Sequence, residues 1–387
     1  MAARLADPLS GIEITDMPLA RAVDLLATAS TVPITLNADA MRQLGVSPRD
    51  RISVRFDSTT IGKALQAVAA ERGLAATIDN GQVIVTSPAE YRETLRTVHY
   101  TVSDFTGDDK AAVTDLAALV RRLVAPESWK DAGGRGTIEP EPGTMVVLQT
   151  GDVHQQVLTF CEKLRNARKK PLRSRGAPER FTLVTRTSQA RNMLDQPVTA
   201  NFHEPAELAK ILAFLAKAAG SDILIDHAAL AAAETSDGVE TSLVVQKQPL
   251  AAVLADLLRP LGLTYRVVGA DAIQVTTNEA AEERLELEFY PVGPRLADKN
   301  SPDPLMGEGP KKNSPLPTNL RSVPGEGPGV RAAKLVDQLK TQVAASTWSD
   351  AGGQGEIYFD APSQCLIVLQ SQRVQAAIER LLVAKGE

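Results

Sequence analysis

Apolar residues recur along the chain at the spacings of short amphipathic helices and strands. One set falls at i, i+3, i+4 and i+7 and predicts a helix with a single buried face: Leu19, Ala22, Val23 and Leu26. Another alternates with polar residues and predicts a strand: Ile52, Val54 and Phe56. Over residues 9–90 these patterns predict the order β-α-β-β-α-β-β, an α+β domain that we call module A. Met17-Pro18 is expected to open its first helix, with the proline at the first helical position.

A second pattern, β-α-β-β-α, is predicted for residues 94–168, which we call module B. Its predicted strands and helices cover Val98–Val102, Val113–Val124, Thr137–Glu139, Met145–Gln149 and Val153–Leu164.

Both modules have a second copy in the sequence. The glycines expected to end the second helix in a left-handed conformation, Gly73 and Gly262, are separated by the same interval as Ile84 and Ile273. The segment Ser128–Gly136 matches Thr347–Gly355, and the only two tryptophans of the chain, Trp129 and Trp348, are equivalent there. We therefore predict a tandem duplication, with module A′ at residues 191–278 and module B′ at 284–387.

Two further segments complete this organisation. A basic linker is predicted at residues 169–190, between modules B and A′. Module B′ needs an insertion relative to module B, and residues 291–329, rich in proline, glycine, asparagine and serine, are expected to form it as a loop. Asn80-Gly81 predicts a hairpin turn in module A.

The composition excludes several classes of protein. Apolar residues make up 43% and charged residues 23% of 387, as in ordinary globular domains, and a net charge of −5 does not attract the whole chain to nucleic acid or anionic lipid. Cys161 and Cys365 are too few for a disulfide scaffold or a four-cysteine zinc site. We expect two buried thiols, with one disulfide as the alternative.

The compartment depends on a targeting segment. No apolar run is long enough to span a bilayer, and residues 1–11 have no signal-peptide core. The protein is expected in the periplasm or cell envelope if a signal peptide was removed or missed, and in the cytoplasm otherwise.

No catalytic constellation is evident, so we expect no enzyme, cofactor, metal or small-molecule substrate. The four histidines, His99, His154, His203 and His227, lack metal-ligand spacing. The glycine-rich segments raise the alternatives of turn geometry and phosphate binding, and turn geometry is preferred. They contain Gly133, Gly134, Gly352 and Gly353. The tryptophans beside them are expected to fill equivalent core positions.

A run of cations crosses the end of module B and the linker. It includes Arg168, Lys169, Lys170, Arg173 and Arg175. A solvated linker is the preferred interpretation, and contact with an anionic partner is the alternative.

Specific segments resemble known families. Ile14–Leu26 and Val198–Pro205 make module A similar to the secretin and TonB short N-terminal (STN) domain, and modules A and B together resemble the periplasmic N-domains of secretins. Ser128–Gly134 and Leu194–Val198 look like segments of planctomycete-type envelope proteins. The resemblance implies a structural or protein-interaction role in the cell envelope, in secretion or envelope assembly, with protein partners or self-association through sheet edges.

The alternative function is nucleic-acid binding through the modules B and B′, whose outline is KH-like, and the basic linker. A KH loop joins two helices, whereas the glycine-rich segments here join a helix to a strand.

Overall fold

The computed structural model of the chain describes residues 2–79, 82–296 and 328–384. Contacts divide it into two units: the first joins 1–92 with 186–283, and the second joins 93–185 with 284–387. Module A therefore belongs with A′ and module B with B′, although each pair is far apart in sequence.

Helices and strands are interspersed along the whole described part of the chain. The first half of the chain contains α1 (Ala2–Leu5), β1 (Pro8–Pro18), α2 (Leu19–Ser30), β2 (Ile34–Leu36), α3 (Ala38–Leu44), β3 (Arg51–Thr60), α4 (Ile61–Ala70), β4 (Ala75–Asp79), β5 (Gln82–Thr86), α5 (Ala89–Glu93), β6 (Arg96–Thr101), α6 (Ser103–Thr106), α7 (Lys110–Leu123), β7 (Thr137–Glu141), β8 (Thr144–Gln149) and α8 (Gly151–Ala167).

The second half continues with α9 (Arg186–Gln189), α10 (Arg191–Leu194), β9 (Pro197–Glu207), α11 (Leu208–Ala219), β10 (Asp222–Ile225), α12 (His227–Ala232), β11 (Glu240–Pro249), α13 (Leu250–Leu258), β12 (Leu263–Gly269), β13 (Ala272–Thr277), α14 (Asn278–Glu283), β14 (Leu285–Pro291), α15 (Gly293–Leu296), α16 (Pro328–Gln342), β15 (Glu356–Asp360), β16 (Cys365–Ser371) and α17 (Gln372–Ala384). This mixture of helices with several small sheets is an α+β architecture.

Each half of the first unit builds one ribbon and one small sheet. In the N-terminal half, β1 pairs antiparallel with β3, and a separate sheet has the order β2-β5-β4 with β2 parallel to β5. In the C-terminal half, β9 pairs with β11, and the sheet has the order β10-β13-β12. The predicted helix stripes lie in the corresponding cores, with Leu19 and Leu26 buried in one and Leu208 and Leu215 in the other.

Helices α3 and α12 are among the helices of the first unit that the sequence analysis missed. Helix α3 follows Asn37, whose side chain accepts hydrogen bonds from the amides of Asp39 and Ala40, and α12 follows Asp226, which caps it in the same way. Both are short, so they carry little periodicity, but the capping residues were a usable signal. The helix predicted to start at Pro18 begins instead at Leu19, because Pro18 keeps an extended ψ of 137° and ends β1.

Charged side chains join the two halves of the first unit. Arg49 lies 2.7 Å from Asp222 and 2.7 Å from Asp271, and it also donates to the carbonyl of Gly220 at 2.6 Å. The buried Arg266 pairs with Asp39 at 2.7 Å. These bonds hold residues of module A against residues of module A′.

The second unit contains two three-stranded antiparallel sheets. The B sheet has the order β6-β8-β7 and the B′ sheet has the order β14-β16-β15. One face of each, the inner face, packs on the two long helices of its own module: α7 and α8 in B, and α16 and α17 in B′. The opposite face of each sheet is called its outer face below.

Some predicted features fall outside the described residues. The Asn80-Gly81 turn is one of them, and most of the predicted 291–329 loop is another. At the start of that loop the chain still forms the end of β14 and the helix α15.

The tryptophan and glycine segments adopt the same geometry in both modules. Trp129 and Trp348 are each 1% exposed, and their indole N–H groups donate to the carbonyls of Val124 and Val343 at 2.7 and 2.9 Å. Gly133 and Gly352 have φ of 91° and 89°. Gly73 and Gly262 also have positive φ, of 67° and 69°.

The glycine-rich turns use their amide groups internally. The amides of Gly134 and Gly136 donate to the carbonyls of Trp129 and Ser128, and Gly353 and Gly355 donate to those of Trp348 and Thr347. A Cβ atom on Gly134 would overlap the Ser128 backbone. Close packing of backbone on backbone therefore accounts for the glycines, and these amides do not point at an external phosphate.

Replacing Gly136 by alanine should destabilise the second unit by about 1–3 kcal/mol, because the new methyl group would overlap the amide of Gln149. That amide donates to the carbonyl and hydroxyl of Ser128 at 3.1 and 2.7 Å. Urea unfolding measures the change, and Gly329→Ala, where the added methyl meets no atom of the described residues within 4 Å, is the control. Equal midpoints for the two variants would contradict this packing.

Candidate functional site

The structure places Arg168 in an internal ion pair. Its guanidinium lies 2.6 Å from the carboxylate of Asp360, and the two side chains are only 6% and 0% exposed. A second hydrogen bond, from Nε at 3.1 Å, makes the contact bidentate. The prediction that Arg168 belongs to a solvated linker or contacts an external anion is therefore wrong, because a carboxylate of module B′ already occupies its guanidinium.

The neighbouring cations form a network around the same helix end. Arg165 bonds Asp104 at 2.9 Å and Glu162 at 2.8 Å, and its side chain is 4% exposed. Arg173, an exposed residue, also reaches Asp104 at 3.3 Å, and its amide donates to Glu162 at 3.0 Å. Arg165, Arg168, Arg173, Asp104, Glu162 and Asp360 together are called the charged cluster. It contains three cations and three carboxylates, and its Arg168–Asp360 pair joins module B to module B′.

The other predicted contact residues lie nearer the surface. Lys169 and Arg175 are exposed and Lys170 is partly buried. Lys170 donates its amide to the carbonyl of Arg165, which follows the end of α8 closely. The segment after α8 is also anchored by Phe181, which is 1% exposed and accepts a bond from Asn166 at 2.8 Å. The first part of the predicted linker is therefore packed on the second unit.

The outer face of the B′ sheet is buried by the helices of module B. Its apolar residues are Leu287, Phe289, Tyr358, Ile367 and Leu369. They belong to the same apolar cluster as Leu119, Phe160 and Leu164 of α7 and α8. The Phe160 and Phe289 rings are 6.2 Å apart. As a result, every residue of β16 is buried, on both faces of the sheet.

Three ion pairs cross this contact with the same polarity. Cations of the module B helices meet carboxylates of the B′ sheet: Arg122 with Glu356 at 2.5 Å, Lys163 with Glu288 at 3.5 Å, and Arg168 with Asp360.

The outer face of the B sheet has no such cover from the described residues of its unit. Val146 pairs with His99 and Glu139, at the positions where Ile367 pairs with Phe289 and Tyr358. His99 and Glu139 are exposed, and Val146 and Leu148 are half-buried. Strand β6 is exposed at almost every residue, and it is an edge of its sheet. An open face beside an open edge is the clearest candidate for a binding surface in this unit.

A tyrosine links sheet to helix in both modules. The Tyr100 hydroxyl lies 3.0 Å from Nδ1 of His154, whose Nε2 is 2.9 Å from the carbonyl of Arg96. In module B′, Tyr290 donates to Oε1 of Gln375 at 2.7 Å, and the Gln375 amide donates to the carbonyl of Glu286 at 2.8 Å. A neutral histidine offers one hydrogen-bond donor and one acceptor, and Gln375 uses its amide in the same two roles. Burial lowers the pKa of His154, which favours this neutral form.

The groups that could carry chemistry are buried or dispersed. Burial raises the pKa of the Cys161 thiol to about 12 and also raises that of Cys365, so neither thiol supplies a thiolate nucleophile near neutral pH. Both cysteines are free. His203 is exposed, and His227 lies 3.5 Å from Asp237. Within the described ranges, no three histidine, cysteine or acidic side chains gather as a metal site.

No helix among residues 2–79, 82–296 and 328–384 has both the length and the apolar character needed to cross a bilayer.

Comparison with known proteins gives distant similarities. No protein-family model and no curated protein matches the chain. Among solved structures, one of XcpQN012 aligns with 65% of this chain and 96% of its own, at 13% identity and a TM-score of 0.15. The N-terminal domain of the secretin XcpQ from Pseudomonas aeruginosa aligns with 97% of this chain and 99% of its own, at 9% identity and a TM-score of 0.15.

A third similar structure is the GspC–GspD complex from the type II secretion system of enterotoxigenic Escherichia coli. It covers 49% of this chain and 97% of its own, at 13% identity and a TM-score of 0.16. TM-scores of this size carry no argument about fold or function.

Removing the Arg168 guanidinium should be strongly destabilising. Arg168→Ala leaves the buried Asp360 carboxylate without its cation, and breaking such a pair costs about 3–5 kcal/mol. Arg175→Ala, at an exposed position of the same basic run, is the matched control and should change the free energy of unfolding by less than about 0.5 kcal/mol. Chemical denaturation measures both, and similar losses would show that the ion pair is not buried in solution.

His154 should make stability depend on pH. Burial holds its folded-state pKa below the unfolded value of 6.5, so the unfolded chain binds the proton more readily. This contribution to stability is therefore fully present above the unfolded pKa of 6.5, and it is lost progressively as the pH falls from there through the lower folded-state pKa. His154→Gln, which copies Gln375, should remove this part of the loss, and Gln375→His should add a similar one. The free energy of unfolding, measured at several pH values, checks this, and His99→Gln at an exposed histidine is the control. Identical pH profiles for the wild type and all three variants would contradict the prediction.

Proposed function

We propose that the chain is a non-catalytic protein-interaction protein of the cell envelope, with a role in secretion or envelope assembly. Its binding surface is the outer face of the B sheet together with the edge strand β6. The observation that carries this proposal is the unequal burial of two sheets with the same strand pattern: the outer face of B′ is covered and that of B is open.

The proposal includes a tandem duplication of modules A and B, with the boundaries given by the sequence. Three equivalent interactions support it: the buried tryptophans with their bonds to Val124 and Val343, the tyrosine bonds to His154 and Gln375, and the glutamine bonds into the glycine-rich turns. Duplication would allow the two modules to differ in role: the sheet of module B′ forms the core of the second unit, while the sheet of module B keeps an open outer face.

The open surface has the properties of a site for protein. Half-buried Val146 and Leu148 form its centre, and polar residues surround them: Thr97, His99, Thr101, Glu139 and Glu141. An apolar centre with a polar rim is the usual composition of a protein interface. The free edge of β6 also offers backbone groups with which a partner strand can pair.

The envelope assignment comes from the sequence. The segments Ile14–Leu26 and Val198–Pro205 make modules A and A′ similar to STN domains, and Ser128–Gly134 is similar to planctomycete-type envelope proteins. In the first unit, Ile14 and Leu19 of this motif are buried core residues.

Nucleic-acid binding is the second candidate, and it has less support. Arg165 and Arg168 are committed to carboxylates inside the second unit, and Arg173 shares Asp104. Lys169, Lys170 and Arg175 are the residues of the basic run through which such binding would have to act.

A photo-crosslinking amino acid tests the proposed surface. Placed at Thr97 or Leu148 in cells that make the protein, it should give discrete protein adducts on illumination. The same probe at Val244, an exposed valine of the first unit, is the control and should give none of the same adducts. Adducts that do not differ between these positions would refute the surface. A nuclease-sensitive adduct from a probe at Lys170 would instead favour nucleic acid.

A further inference from the structure

We propose that a second copy of this chain occupies the outer face of the B sheet, docking through helices α16 and α17 of its module B′. This inference rests on the proposed function, because it names the partner of the same surface. It arises from the internal contact of the second unit, which joins two different surfaces of related modules.

The internal contact is head-to-tail. Module B contributes its helix face, through residues such as Leu119 and Phe160, and module B′ contributes its outer sheet face, through Phe289 and Ile367. A contact of this kind uses one surface of each module and leaves the other surface of each available. As far as residues 93–185, 284–296 and 328–384 of the second unit are described, a sheet face on B and a helix face on B′ therefore stay unused.

The unused helix face contains a groove of about 510 Å³ between α16 and α17. Its apolar lining includes Val343, Val374, Ala377 and Leu381. In the alignment of module B′ with module B, Leu381 is equivalent to Phe160. Phe160 packs on Phe289 of the B′ sheet. The groove is thus equivalent to the helix surface of module B that packs on the outer face of the B′ sheet.

The charges of the two unused surfaces match as those of the internal contact do. Inside the chain, helix cations face sheet carboxylates, as in the Arg122–Glu356 and Lys163–Glu288 pairs. On the unused surfaces, Arg380 lines the groove, while Glu139 and Glu141 lie exposed on the B sheet. Docking of one copy on the next would bring these opposite charges together.

The contact between copies should be weaker than the one inside the chain. Leu119 and Leu123 of the buried helix face correspond to Gln338 and Gln342, both exposed. On the sheet side, Phe289 and Tyr358 correspond to His99 and Glu139. Less apolar surface is available for burial, so the association is expected to be reversible and sensitive to salt.

Sedimentation of the purified full chain over a wide range of concentrations tests the proposal. The wild-type protein should show a mass that rises with concentration, and the rise should shrink at high salt. Two variants block one face each: Val146→Lys for the sheet face, and Ala377→Glu with Arg380→Glu for the helix face. Each should weaken self-association at least about tenfold. Val244→Lys, at an exposed valine of the first unit, is the control and should behave as wild type.

Mixing the two blocked variants gives the sharpest result. Each retains the face that the other lacks, so a head-to-tail contact predicts monomers alone and a one-to-one heterodimer on mixing. Self-association of the helix-blocked variant by itself would mean a sheet-to-sheet contact and would overturn the proposal. So would a wild-type chain that stays monomeric at every concentration.

Circular dichroism melting confirms that each variant is folded before sedimentation. A monomeric wild-type chain whose probe at Thr97 still captures another protein would leave the proposed function standing while removing the second copy as its partner. If the wild-type chain neither self-associates nor gives a protein adduct from the probe at Thr97, both this inference and the proposed function are wrong.

Discussion

The second unit depends on a β-sheet that is buried on both faces. The B′ sheet packs one face on its own helices and the other on those of module B, so β16 has no exposed residue. A sheet of this kind is stable only if its buried charged residues form ion pairs, because burying an unpaired carboxylate costs roughly several kcal/mol. Arg168 provides that partner for Asp360, and its guanidinium also lies over the Phe105 ring, 5.3 Å from the ring centroid.

This constraint gives modules B and B′, whose sheets have the same strand pattern, different roles. The B′ sheet is enclosed between its own helices and those of module B. Module B supplies helices to that contact and keeps its own sheet open on the outer face and along β6. The hydrogen bonds that connect sheet and helix stay the same, as Tyr100 and Tyr290 show, while the outer residues change from apolar to polar. We therefore expect binding at the surface residues in which modules B and B′ differ, and stability from the buried contacts that they share.

Local patterns in the sequence were sufficient for the parts of the fold that involve one element and its own core. The stripes of α2 and α11 are the buried faces that periodicity predicts, and an α+β arrangement of small sheets follows from the alternation of helices and strands. Helices α3 and α12 were missed because seven and six residues are too few for a periodic signal. The pairing of A with A′ and of B with B′ could not be predicted, since it depends on contacts between residues some two hundred positions apart.

The basic run shows the same limit at the level of the site. Its arginines read as a solvated linker because their carboxylate partners are not nearby in sequence, and Asp360 is the extreme case. The open face becomes evident only when paired strands are compared, because Phe289 and Tyr358 stand where module B has the polar residues His99 and Glu139. That comparison needs the strand pairings, which the sequence does not supply.

Hydroxyl-radical footprinting of the dilute full chain tests the central claim most directly, because it compares equivalent leucines in one molecule. Leu148 and Leu369 occupy the same position of β8 and β16, and the structure leaves the first half-buried and the second 5% exposed. We predict that Leu148 is oxidised much faster than Leu369, and that Arg168→Ala raises the rate at Leu369. Equal rates at the two leucines in the wild-type chain would contradict the account.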